Sequence, residues 1–210
     1  MRCLAWAIVA GLLAAAPAAG SSFVDAITGA VDGSVVTASE IAIARALALF
    51  GFAPSAAAID AADVQRMLAA RLIVAEARQL DIGGAAAEVE RGWQAAAARV
   101  GGAPALQRWL ASVDLETDFV RGLVADDLRW RRFIDVRFRD FAFVMPDEVA
   151  AALGPGEHDA AVEERTRERL RAEQARRELA AWVRERALSA RVQNLLEPDA
   201  RVPVPFGPPR

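Results

Sequence analysis

Apolar side chains recur at helical intervals through most of the chain, and glycine or proline separates one such segment from the next. Positions three and four apart share one face of a helix, so this spacing predicts a succession of amphipathic helices. The predicted helices cover residues 38–50, a segment from 60 or 61 to about 81, an alanine-rich segment with Val89 and Trp93 that ends at Gly101, a segment that begins at Pro104, and residues 114–138, 146–153 and 160–189.

A short run before the first helix predicts the β structure of the chain. Residues 31–36 are extended in character and contain the tight turn Asp32-Gly33. Thr37 can cap the helix that follows, because Glu40 lies three residues on and can close a capping box. Residues 191–195 are also extended and can pair with this strand. The sequence therefore predicts a mainly α fold, an irregular set of helices with a long C-terminal helix and a minimal two-stranded β element.

The period changes between the predicted helices 114–138 and 146–153. Phe141, Phe143 and Met145 alternate with smaller or polar residues, and Pro146 follows. A residue before proline is biased away from the helical conformation, so we expect a few extended residues at this point.

The first residues have the pattern of a secretory signal peptide. A charged start at Arg2 precedes an apolar stretch to Ala16 and the small residues Pro-Ala-Ala-Gly. We expect cleavage near residues 18–20, and an uncleaved N-terminal anchor is the alternative. Cys3 is the only cysteine, so the mature chain would have no disulfide and no thiolate metal site. Residues 21–197 form the predicted helical domain, and the proline-rich residues 198–210 form an extended tail.

Composition narrows the possible partners. The chain is 54% hydrophobic and 25% charged, which suits one well-buried domain or two small ones. Its formal net charge of -3 becomes -4 once Arg2 is removed with the signal. A mildly acidic chain with mixed charges argues against nucleic acid as a partner.

The sequence lacks the residue combinations that a catalytic or cofactor site requires. His158 is the only histidine, and no Gly-x-Ser-x-Gly turn supplies a nucleophile for it. Asp126 and Asp127 are adjacent, so on a helix they point apart and do not make an acid/base pair. No glycine-rich phosphate loop is present. We therefore predict a protein that is not an enzyme, with no catalytic residue, cofactor or metal site.

The order of these segments resembles the SurA-type periplasmic chaperones. The resemblance lies in VDGSVVTASEI, RMLAARLIVAEARQLDI, WRRFIDVRFRDFAFVMPDEVAAAL and the final EERTRERLRAEQARRELAAWVRERA helix with ARVQNL after it. In that family the N-terminal helices and the returning C-terminal helix form one chaperone module, and a parvulin-type prolyl isomerase domain is commonly inserted between them. Here residues 154–159 alone separate the last two helices, which is too short for such a domain.

The resemblance implies a periplasmic holdase for unfolded outer-membrane protein clients, without isomerase activity and without stable membrane insertion after signal cleavage. An apolar groove that tolerates many client sequences would serve this role. The candidate client-binding residues are Phe50, Phe52, Trp130, Phe133, Phe138, Phe141 and Phe143. The alternative for each ring is an ordinary place in the core.

Two further alternatives remain open in the sequence. Arg129, Arg131 and Arg132 can hold phosphates, lipid headgroups or client carboxylates, or can simply form a solvated helix face beside acidic neighbours. The whole protein can also be a non-catalytic envelope adaptor or structural protein that docks on one folded partner. A homodimer is possible in either case.

Overall fold

The computed structural model describes residues 25–156 and 159–205. The predicted signal peptide (residues 1–20) with Cys3, His158, and residues 206–210 of the predicted tail lie outside the described residues. Helices dominate the part of the chain that is described, which confirms the mainly α prediction. The α-helices are α1 (Ala38–Ala46), α2 (Ala61–Gln79), α3 (Ala86–Arg99), α4 (Ala103–Ser112), α5 (Thr117–Ile134), α6 (Pro146–Leu153) and α7 (Ala160–Ser189).

The β element has three strands, so the prediction of two strands was wrong. The strands are β1 (Ile27–Val31), β2 (Ser34–Thr37) and β3 (Val192–Asn194), in the antiparallel order β2-β1-β3. Asp32 and Gly33 have φ values of 47° and 86°, the left-handed conformation that a two-residue hairpin turn requires. This turn folds the predicted single strand into β1 and β2, and β3 pairs along the other edge of β1.

The capping box predicted at the start of α1 is present. The Glu40 backbone N–H donates to the Thr37 hydroxyl, and the Thr37 backbone N–H donates to the Glu40 carboxylate at 3.2 Å. Each bond satisfies a backbone donor that has no partner within the helix. The pattern of Thr37 and Glu40 in the sequence therefore predicted the start of α1 correctly.

Helix α1 ends earlier than the predicted residue 50, and a tertiary hydrogen bond gives the reason. The chain leaves the helix after Ala46, and Ala48 and Phe50 both adopt φ values of 51°. The Phe50 N–H donates to the buried carboxylate of Asp127 at 2.6 Å. A charge-assisted hydrogen bond of this kind is stronger than the helical bond it replaces.

The predicted helix 114–138 is also interrupted. Helix α5 ends at Ile134, and residues Asp135–Arg139 form a π-helical turn. A π turn holds more residues than an α turn, so side chains five positions apart come onto one face. Phe133 and Phe138 are such a pair, with ring centroids 6.0 Å apart.

The elements divide into two parts that we call the body and the arm. The body comprises the sheet and α1–α5, around a core that includes Ile41, Leu106 and Val120. The arm comprises residues 135–189, with the π turn, α6 and α7. Helix α7 has the bounds that the sequence predicted, and it packs on α6, the π turn and α2. Residues 192–194 then return the chain to the sheet of the body.

Candidate functional site

The structure separates the seven aromatic candidates into three groups. Phe50, Phe52, Phe133 and Phe138 are buried, Trp130 is half-buried, and Phe141 and Phe143 are exposed. The seven rings therefore do not line one crevice. For the four buried rings, the alternative of an ordinary place in the core describes what the structure shows.

The buried rings attach the arm to the body. The Trp182 ring of α7 lies 5.2 Å from that of Phe133 and 6.3 Å from that of Phe138, measured between centroids. Trp130 contacts this cluster and also meets Phe50 edge-on, with centroids 6.4 Å apart. The Phe138–Trp182 and Phe50–Trp130 pairs are edge-to-face, an arrangement that is favourable beyond the area it buries, whereas Phe133 and Trp182 are tilted at 52°. Trp182 thus acts as a packing residue between the arm and the body.

The exposed rings lie in an extended segment in which small side chains point inward and large apolar side chains point outward, the reverse of the usual arrangement. In residues 141–145, which we call the 141–145 segment, the small side chains of Ala142 and Val144 point inward and are 7% exposed. Phe141 and Phe143 point outward and are 76% and 67% exposed, and Met145 beside them is half exposed. Burial favours the larger apolar side chain. The segment thus exposes its large apolar side chains and buries its small ones, which leaves neighbouring apolar groups in contact with solvent.

A groove runs beside the 141–145 segment. Its volume is about 700 Å³, within the range of ligand sites. One wall is formed by residues 139–143, and α7 forms the other with Glu168, Arg171 and Ala172. A smaller depression of about 180 Å³ shares Arg139 with the groove and continues along α5 beside Trp130. The candidate site is this groove together with the outward rings of Phe141 and Phe143.

The three arginines near Trp130 are paired with groups of the protein. Arg129 donates to Asp126 at 2.9 Å, and Arg131 donates to Asp127 at 2.8 Å. Arg132 donates to the Gly83 carbonyl at 3.0 Å. This arrangement is the solvated helix face beside acidic neighbours that was one of the two alternatives for these residues.

The burial of Asp126 and Asp127 was not predicted from the sequence. Asp127 accepts from the Phe50 N–H and from Arg131, while Asp126 accepts from Arg78 and Arg129. The two carboxylates face different partners, as their adjacent positions predicted. Their position inside the apolar pattern of α5 was the available signal, because a buried carboxylate requires ion pairs and hydrogen bonds.

Another buried carboxylate, that of Glu40, belongs to α1 itself. Glu40 forms an ion pair with Arg71, and Arg71 also lies 3.8 Å from Asp126. Burial raises the pKa of Glu40 above its ordinary value, although the charge of Arg71 opposes this shift. The half-buried cap Asp60 behaves in the opposite way, because hydrogen bonding to Asp63 lowers its pKa. These groups hold α1 and α2 together and lie apart from the groove.

Residues 25–156 and 159–205 contain no group of three or more His, Cys, Asp or Glu side chains arranged to hold a metal ion. No helix within the same ranges combines the length and apolar content required to cross a bilayer.

No family model and no curated protein matches this chain.

Proposed function

We propose that the mature protein is a non-catalytic holdase that binds unfolded or extended polypeptides through the 141–145 segment and the groove beside it. The observation that carries this proposal is the outward placement of Phe141 and Phe143 while Ala142 and Val144 are buried. When a client covers neighbouring apolar rings, the free energy of the complex falls by about 25 cal/mol for each Å² of apolar surface removed from water. They impose little sequence preference, since the contact is non-directional.

The proposed compartment is the periplasm, and the proposed clients are outer-membrane proteins. Both parts of the proposal come from the signal-peptide pattern and the resemblance to SurA-type chaperones. Outer-membrane strands alternate apolar and polar residues and remain soluble only while their apolar sides are covered. We do not expect nucleic acid binding, isomerase activity or another reaction. A homodimer is compatible with this role.

Suppression of aggregation tests the proposal directly. A denatured porin is diluted into buffer without ATP, and light scattering is followed with the mature protein or with the double variant Phe141→Ala/Phe143→Ala. We expect the wild type to suppress scattering, and the double variant to need at least about tenfold more protein for the same effect, because two apolar contacts are lost. Phe119→Ala is the matched control, since it removes a partly exposed ring from α5 outside the groove.

The alternative role predicts another result. An adaptor would suppress no scattering and would capture one folded envelope protein at fixed stoichiometry. Equal suppression by the wild type and the double variant would leave a holdase but would remove the 141–145 segment as its client site.

A further inference from the structure

The 141–145 segment lacks hydrogen-bond partners in its middle. Among the described residues, no hydrogen bond involves the backbone N–H of Phe143 or Val144, and the carbonyls of residues 141–144 accept none. Both ends are anchored: the Ala142 N–H donates to the Arg139 carbonyl at 3.3 Å, and the Met145 N–H donates to Glu148 at 2.8 Å. Backbone groups in packed segments are nearly always paired. The middle of this anchored segment therefore has donors and acceptors to offer.

The charges along the groove indicate the chemistry of its occupant. Arg139 is paired with Asp135 at 2.9 Å, and Arg171 with Glu168 at 2.8 Å. The groove also contains Asp140, so its two arginines face two lining acids and carry no net charge with them. A polyanion would find no uncompensated positive charge here. The complementary ligand is a neutral one that supplies backbone donors and acceptors together with apolar side chains.

We propose that the 141–145 segment binds its client by strand addition. An extended client lies in the groove and pairs its backbone along one edge of the segment, with the N–H and carbonyl of Phe143 and the carbonyl of Phe141, which lie on the same edge because they are two residues apart. Cross-strand neighbours lie about 4.5–5.5 Å apart on one face, so alternate client side chains contact the rings of Phe141 and Phe143. Backbone pairing supplies affinity for any extended sequence, and the rings favour apolar side chains at every second position. This inference rests on the proposed function, because it assigns the binding mode of the same site.

A modified peptide separates strand addition from contact with the rings alone. The probe is a short fluorescent peptide of alternating valine and threonine, and its binding is measured by anisotropy. A second peptide has the same side chains but carries N-methyl groups on a pair of consecutive central residues, so that each edge of the strand loses a donor. We expect the methylated peptide to bind at least about tenfold more weakly, since hydrogen bonds are lost and the methyl groups obstruct the edge. Equal affinity of the two peptides would overturn strand addition.

Substitutions at one position test the same point from the protein side. Phe143→Ala and Phe143→Pro both remove the ring, but the proline also removes the backbone N–H. We expect Phe143→Pro to bind the unmodified peptide about fivefold to tenfold more weakly than Phe143→Ala, provided that both have the circular dichroism spectrum of the wild type. If both fold and bind equally, the Phe143 N–H takes no part and the proposed pairing is wrong. If the proline variant does not fold, the peptide comparison decides.

The failure of this inference differs from the failure of the proposed function. Suppression of porin aggregation together with equal binding of both peptides removes strand addition and keeps the holdase. Discrimination between the peptides without any suppression of aggregation keeps the strand-binding site and removes the holdase.

Discussion

The body and the arm use their apolar side chains in different ways. In the body, the most exposed large apolar side chain among the described residues is Ile27, at 56%. In the arm, Phe141, Phe143 and Leu188 are 76%, 67% and 89% exposed. The arm also contains the longest described helix, α7, in which Ala175 is the sole buried residue. The body therefore uses its apolar surface mainly to fold, whereas the arm leaves part of its own uncovered.

This difference is the reason why we place the proposed client-binding surface on the arm. The attachment of the arm is nevertheless specific, because Phe133, Phe138 and Trp182 form a closed aromatic contact at its base. A binding surface on a firmly attached element needs less ordering when a client arrives, and the entropic cost of binding is smaller. We expect the arm to keep a fixed orientation relative to the body.

The largest predicted effect is the difference in stability between two variants, one that replaces a buried ring by alanine and one that replaces an exposed ring. Phe133 is fully buried at the base of the arm, and Phe133→Ala should lower the free energy of unfolding by about 3–5 kcal/mol. Phe143→Ala removes the same atoms from an exposed position and should change it by less than about 0.5 kcal/mol. Urea denaturation measures both. Similar losses in the two variants would mean that the 141–145 segment is packed in solution.

Ion pairs allow a second comparison of the body with the arm, between a buried pair and an exposed pair. Asp126 in the body is buried and faces Arg78 and Arg129, both within 2.9 Å. Asp126→Asn should cost about 1–3 kcal/mol, because a buried hydrogen bond to a charged group is weakened and the arginines lose their counter-charge. Asp135→Asn in the arm breaks an exposed pair with Arg139 and should cost between about 0 and 1 kcal/mol. Denaturation at low and high salt checks this prediction, and salt should diminish the difference for Asp135 first.

The helices of the fold were predictable because their signals are local. Periodic apolar positions gave α7 with its observed bounds, and Thr37 with Glu40 gave the start of α1. The hairpin turn was visible in Asp32-Gly33, and the extended pattern of residues 191–195 predicted pairing with this strand, but the sequence did not show which edge of the hairpin β3 would join. Pairing between distant strands depends on how the helices between them pack, and no local pattern contains that information.

The features that the sequence did not reveal depend on distant contacts. Helix α1 ends early because Asp127, far along the chain, accepts from the Phe50 N–H. The outward direction of Phe141 and Phe143 was equally hidden, since an alternating pattern defines two faces without saying which one meets solvent. The sequence therefore supplied a group of candidate rings but not their division between core and surface.

Helix caps give a smaller effect that sharpens the comparison. Thr37→Ala removes the cap of α1, a short helix whose side chains are almost all buried, and should cost about 1 kcal/mol. Asp159→Ala removes the cap of the exposed helix α7, which can fray without disturbing the core, and should cost about half as much. Thermal denaturation of each variant measures the difference. Thr37→Ser is the control, because it keeps the hydroxyl that accepts from the Glu40 N–H. An equal loss at both caps would show that the first turn of α7 is as firmly packed as α1.

The smallest predicted effect is a pH dependence that distinguishes the buried Glu40 from the half-buried Asp60. Burial raises the pKa of Glu40 above 4.5, so the folded state holds this proton more tightly than the unfolded state. The advantage of the wild type over Glu40→Gln should therefore fall as the pH rises from about 4.5 through the folded pKa. Hydrogen bonding to Asp63 lowers the pKa of Asp60 below 3.8, so the advantage of the wild type over Asp60→Asn should be present above pH 3.8 and disappear as the pH falls through the folded pKa. Urea denaturation across this acid range measures both differences. If the stability difference between the wild type and Glu40→Gln instead rose with pH, the attraction of Arg71 would outweigh the burial of the carboxylate. Glu40 and Arg71 would then form an ion pair that stabilises the charged carboxylate.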